Sequence, residues 1–244
     1  MVRSLGQCKE LLALVITSVC FLSVALADNQ ETLENKVQKV VSLPKAIEAS
    51  TPLKDALDVL AERWNLNIQV ESKLFRKKGM ANVEGQPVSV PRLRDVRLAT
   101  LLDLVASQVD GSCMIWKERL VIVPRSHARG AKGAGYQPMP FATTKENAEL
   151  RSKLDKQISL PKESDPRPEF GDALHALAEQ YELNIVIDER AFKAARGKEV
   201  AKRRVELSGL PPMPLGKLLE KVCAQAKSSY RLTENIIWIV PQKS

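Results

Sequence analysis

Within residues 51–70, TPLKDALDVLAERWNLNIQV, apolar side chains fall at Leu53, Ala56, Leu57, Leu60, Ala61 and Trp64. That is the 3.6-residue spacing of one buried helix face. Thr51 is placed to cap the helix, and Pro52 suits its first position, where no backbone donor is lost. Asn65 and Asn67 interrupt the helical period, and Ile68 and Val70 then alternate as a strand. A helix feeding a short strand cannot bury its stripe alone. The same pattern returns 117 positions later as PEFGDALHALAEQYELNIVI, residues 168–187.

Around the first copy the pattern predicts further elements. Val40 to Leu43 reads as a strand ending at Pro44, and Val88 and Val90 alternate as another before Pro91. A second helix is expected from about Leu98 to Val109, with Leu98, Leu101, Leu102 and Val105 on one face and Gly111 ending it. Cys113 to Trp116 and Leu120 to Val123 form a hairpin across Lys117-Glu118-Arg119, and Pro124 stops its second strand. Between the first helix-strand unit and Val88, Glu71 to Gln86 is a polar, basic loop anchored by Phe75.

The second copy repeats this order without a gap. Ser42-Leu43-Pro44-Lys45 becomes Ser159-Leu160-Pro161-Lys162, Leu66-Asn67-Ile68 becomes Leu183-Asn184-Ile185, and Ile122-Val123-Pro124 becomes Ile239-Val240-Pro241. Phe75 becomes Phe192, and Leu101-Leu102 becomes Leu218-Leu219. Most shared positions are apolar or turn-forming, which argues for a shared fold rather than shared chemistry. The expected class is α+β: two tandem β-α-β-β-α-β-β modules, 40–125 and 157–244, each with its own small core. A polar arm, 28–39, precedes them. A stretch rich in Gly, Ala, Pro and Thr, 126–156, joins them as a flexible linker, with a short charged helix over Lys145 to Lys156.

The first 27 residues stand apart. Arg3 and Lys9 give a basic start, Leu11 to Val24 is apolar, and Ala25-Leu26-Ala27 matches a small-x-small cleavage pattern. This reads as a signal peptide cleaved after Ala27, and predicts a periplasmic or otherwise exported protein with no transmembrane segment after cleavage. Of the chain's four cysteines, Cys8 and Cys20 leave with that segment. Cys113 and Cys223 occupy non-equivalent places in the copies and read as buried free thiols rather than a disulfide. The 244-residue chain carries a net charge of +8, which permits contact with polyanions without demanding it.

The order of elements resembles the secretin and TonB short N-terminal (STN) domain, present here as two tandem copies. The resemblance rests on Pro52-Leu53-x-x-Ala56-Leu57-x-x-Leu60-Ala61 with Leu66-Asn67-Ile68, and on Leu98-x-x-Leu101-Leu102, Met114-Ile115-Trp116 and Leu120-Val121-Ile122-Val123. In the second copy, Leu215-x-x-Leu218-Leu219, Tyr230-Arg231-Leu232 and Ile236 to Val240 carry the distal half. The resemblance implies two helices packed between short sheets, exposure to the bacterial periplasm, and binding of other proteins without catalysis or cofactor. No outer-membrane barrel follows Pro241, so secretion through a pore of its own is not expected. Docking on a secretin-type or other envelope complex stays open.

No catalytic or metal motif appears. His127 lies in the linker and His175 on the polar shoulder of a helix, and neither HExxH, CxxC nor GxSxG is present. An enzyme is therefore not expected. The leading reading is a binding or scaffold module that meets another envelope protein through an edge strand or groove. The alternative is a polyanion binder for DNA, anionic glycan or lipid headgroups, through Arg76, Lys77 and Lys78 in one loop and Lys198, Lys202, Arg203 and Arg204 in the corresponding loop of the second copy. A solvated loop is the competing explanation of both clusters.

Overall fold

The computed structural model describes residues 31–128, 130, 135–139, 148–159, 165–195 and 199–242. Leu33–Ser244 forms one compact unit. The fold is α+β, with nine helices and thirteen strands among the described residues. The segment read as a signal peptide lies outside them. No helix of the described residues is long and apolar enough to cross a membrane.

In the first repeat, α1 (Leu33–Gln38) leads into β1 (Val40–Leu43), β2 (Ile47–Pro52), α2 (Leu53–Trp64) and β3 (Ile68–Val70). Then come α3 (Ser72–Arg76), β4 (Pro87–Val90), β5 (Leu93–Arg97), α4 (Leu98–Gln108) and the hairpin of β6 (Gly111–Trp116) and β7 (Arg119–Pro124). Strand β7 pairs parallel with β3 and antiparallel with β6. Two small sheets, β1-β5 and β2-β4, complete the repeat. Helix α4 packs against β6, β4 and β5, so the helices lie between short sheets.

Helix α2 buries Leu53, Ala56, Leu57 and Leu60, as its spacing predicts. Its start differs from the expectation. Thr51 and Pro52 belong to β2, Pro52 is the N-cap, and no side chain caps the helix. Strand pairing with Val88 and Pro87 holds those two residues extended. The helix ends as expected, at Asn65 in the left-handed region (φ 48°), where a short polar side chain is tolerated. The stretch expected as a basic loop contains a helix, α3, whose Phe75 is buried.

The repeat is carried at an offset of 117 residues into the strand register itself. The described segment between the repeats holds α5 (Arg125–Ala128), β8 (Gln137–Pro138) and α6 (Ala148–Asp155). The second repeat continues with β9 (Gln157–Ile158), α7 (Phe170–Gln180), β10 (Ile185–Ile187), α8 (Glu189–Ala194), β11 (Met213–Pro214), α9 (Leu215–Gln225), β12 (Ser228–Thr233) and β13 (Ile236–Pro241). Ile68↔Leu120 recurs as Ile185↔Ile237, and Val40↔Arg97 as Gln157↔Pro214. A glutamine clamp recurs too. Gln108 accepts from Ser89 N at 2.8 Å and donates to Ser89 O at 2.6 Å, and Gln225 does the same to Glu206 at 2.6 and 3.0 Å.

The stretches read as arm and linker carry more structure than their composition predicts. Val37 of α1 enters the first core and Leu150 and Leu154 of α6 the second. Lys36 Nζ donates to Asn65 O, and Lys153 Nζ to Glu182 O, each at 3.4 Å. The duplicated unit therefore begins with a short helix, at Leu33 and again at Ala148. Two apolar residues four apart suffice to seat such a helix once a core is there to receive them.

Among the described residues each repeat has one large buried cluster, and a smaller third one, Met114, Val121 and Val123, lies against Trp116 and Tyr136; the first repeat's large cluster is not closed by its own residues alone. Val186 and Ile236 are buried in it, and Trp238 packs against it, all three from the sheet of the second repeat. Sheet β10-β13-β12 thus covers the second core with one face and meets the first repeat with the other.

Candidate functional site

The junction between the repeats begins with a bulge. In the β1-β5 pair the register shifts between Val41 and Leu43, and Asp95 takes φ 51° while its N–H bonds Ser42 Oγ at 3.0 Å. A bulge leaves a residue out of the ladder. Here Arg94 turns its backbone away, and Asn184 takes it up, with Oδ1 accepting from Arg94 N at 2.8 Å and Nδ2 donating to Arg94 O at 2.6 Å. Asn235 Nδ2 adds a bond to Arg94 O at 3.2 Å. Ion pairs Arg94–Glu182 (2.6 Å), Arg92–Glu179 (3.5 Å) and Arg190–Asp110 (2.5 Å) frame this contact.

Beside it lies a cleft of about 480 Å³ between α4 and the second repeat's sheet, lined by Asp103, Arg125, Asp188, Arg190, Arg231 and Trp238 among others. Burial pushes the Asp103 carboxyl above the usual aspartate range, and the Arg125 guanidinium partly offsets this. Arg125 Nε is itself buried without a hydrogen-bond partner. Thr100 Oγ1 donates to Glu234 at 2.7 Å across the cleft. Three arginines face three carboxylates there, so the formal charges of the lining balance.

A second surface is the outer edge of sheet β3-β7-β6. The β6–β7 turn is formed by Lys117 and Glu118, both with positive φ, a geometry that suits strand twist. It places Trp116 at the sheet corner, with Lys117 Nζ 4.8 Å and Arg119 Cζ 5.3 Å from its ring centre. Strand β8 is laid antiparallel along β6, with Met114 opposite Pro138 and Ile115 opposite Gln137. Tyr136 stacks on Trp116 (5.9 Å between ring centres, 23° between planes) and meets His127 edge-on at 6.0 Å. Gly135, at φ +78°, brings the chain close to the Trp116 indole, a conformation that favours glycine. Met139, 2% exposed, enters the first core.

Fixing a backbone residue costs roughly 1–2 kcal/mol, so a two-residue ladder that includes a proline does not hold itself. The anchors hold it instead. An aromatic stack contributes about 0.5–1.5 kcal/mol, and a buried methionine about 1.5–3 kcal/mol. In the second repeat the equivalent strand, β12, pairs with β13 on one side and with no strand on the other among the described residues. Arg231 and Thr233 stand there where Met114 and Trp116 stand in the first.

Comparison with protein-family models, with curated proteins and with solved structures finds no match for this chain.

The basic clusters fare unequally. Arg76, Lys77 and Lys78 are exposed at the end of α3 and make no ion pair among the described residues. Lys202 pairs with Glu199 at 3.1 Å, Arg203 donates to Ala226 O, and Arg204 donates to Arg167 O at 3.0 Å. These last two arginines tie loops together. Lys198 lies outside the described residues. No hydrogen bond or ion pair among the described residues joins the two clusters into one surface. Of the other candidates, His175 is exposed, and Cys113 and Cys223 are free and buried. The sequence reading missed Asn184, Asn235, Tyr136 and Met139. Asparagine in a strand-leading tripeptide and an aromatic in a Gly/Pro-rich stretch were the only signals, and neither indicates a partner.

Proposed function

We propose that this chain is an exported, non-enzymatic binding or scaffold protein of the bacterial envelope, its two repeats serving as STN-like interaction domains. The single observation that carries this reading is β8 on β6: the sheet edge of the repeat accepts an extended segment, held by the stack of Tyr136 on Trp116 and by Met139 in the core. Strand addition of that kind recognises peptide backbone through the ladder and sequence through side-chain pockets. The signal-like pattern of residues 1–27 supports export, and the element order supports the STN resemblance. The partner is another envelope protein, with a secretin-type complex among the candidates.

The test is a photo-crosslinking residue placed at Ser229, on the edge strand β12, in cells that make the protein natively. Crosslinked species are identified by mass spectrometry, and the mature N-terminus by sequencing. The reading expects a start at Asp28 and a specific envelope protein attached. An uncleaved chain, or crosslinks to no protein, overturns it.

The polyanion reading keeps one supporting observation: Arg76, Lys77 and Lys78 are exposed and make no ion pair among the described residues. It expects retention on heparin that weakens steeply with salt and is lost in the R76E/K77E/K78E variant. On the leading reading, the same variant keeps its protein partner.

A further inference from the structure

We propose that β8 is a built-in stand-in for a partner strand, and that the β6 edge is a peptide-binding site which the chain keeps closed with its own residues. This rests on the reading of the repeats as strand-binding modules. It adds which edge is used, what the ligand looks like and how access is controlled.

Three observations converge. First, β6 spans six residues, yet β8 pairs with only Met114 and Ile115, and Pro138 brings no donor. An occupant with a longer ladder outbids it on backbone bonds alone. Second, the segment is anchored by two side chains on opposite faces: Tyr136 in the angle between Trp116 and His127, and Met139 in the core. These anchors define the ligand as an extended peptide with an aromatic residue, two residues of free choice, then a long unbranched apolar residue. Third, the aromatic shelf is particular to this edge: on the duplicated strand β12, Thr233 stands where Trp116 stands on β6.

A tethered occupant competes at an effective concentration on the order of millimolar. A free peptide must beat it, and its apparent affinity falls by the fraction of molecules in which the edge is open. Partners with a complete ladder then bind, while chance peptides do not.

The experiment uses the purified chain and a fluorescein-labelled peptide Gly-Tyr-Gln-Pro-Met-Pro, read by anisotropy. The Y136A/M139A variant, with its own occupant weakened, is expected to bind the peptide at least about tenfold more tightly than the unmodified chain. A control peptide with alanine for tyrosine and methionine is expected not to bind it. No binding by a variant whose circular dichroism is native overturns the proposal, as does equal binding of the control peptide. If Y136A/M139A does not fold, Tyr136→Ala alone decides the matter by the same criteria, since it leaves Met139 in the core. The assay needs no cellular partner. A bound peptide without a crosslinked envelope protein sinks the functional reading and leaves the site, and the converse result does the opposite.

Discussion

Asn184 grips both backbone groups of Arg94, taking its N–H at 2.8 Å and giving a hydrogen to its carbonyl at 2.6 Å. The side-chain amide imitates a strand neighbour and closes the gap that the Asp95 bulge opens. Asn184 is 3% exposed, whereas Asn67, its counterpart in the first repeat, is exposed. Identical Leu-Asn-Ile tripeptides thus do different work. We expect Asn184→Ala to cost about 1–3 kcal/mol, the penalty of leaving buried polar groups without partners. Asn67→Ala stays within about 0.5 kcal/mol of the parent. Urea denaturation of the two variants side by side tests this, and equal effects would contradict the assigned role.

Because Val186 and Ile236 complete the first core from the second repeat, the repeats are expected to unfold together. Urea transitions followed by tryptophan fluorescence and by far-ultraviolet circular dichroism should coincide. Leu101→Ala and Leu218→Ala, at equivalent fully buried positions, should each lower that one transition by about 2–5 kcal/mol. Two separated transitions, each moved by only one substitution, would show independent units.

Asp103 sets a pH dependence. Burial raises its pKa in the folded chain above the unfolded value, so the unfolded chain gives up this proton first as pH rises. Stability from this group is complete below the unfolded pKa and is lost as pH climbs through the folded one. Asp103→Asn should therefore gain on the parent as pH is raised from 3 to 7, read as the difference in denaturation midpoint. A constant difference across that range would refute the burial argument.

The thiols offer a further check. Burial pushes Cys113 up to about 12, with nearby Asp103 adding to the effect, and Cys223 up to about 11 despite the Ser228 hydroxyl. A thiol so protonated and so enclosed is a poor nucleophile. A chain beginning at Asp28 should show no reaction with a thiol reagent at pH 8 while folded, and two equivalents after unfolding. Prompt labelling of the folded chain would show that one site opens.

The α+β class, the order of the main elements and the duplication were legible because periodic apolar residues, such as Leu53, Leu57 and Leu60, repeat 117 positions later and report local geometry directly. Strands β2 and β5 were not, since IEASTP and LRDVR have no clean alternation and become strands only by pairing with distant segments. The basic residues were visible as clusters. That Arg203 and Arg204 hold loops while Arg76 to Lys78 make no ion pair among the described residues depends on which groups the fold brings near, and sequence spacing does not encode that.

By itself, the sequence determined that one helix-and-strand unit occurs twice, because local propensity and side-chain periodicity are properties of neighbouring residues. Only the tertiary structure decided that Tyr136 lies on Trp116, and that Asn184 is buried against Arg94 while Asn67 faces water. Those outcomes depend on which surfaces meet, and a pair of identical tripeptides carries no record of what is packed against it.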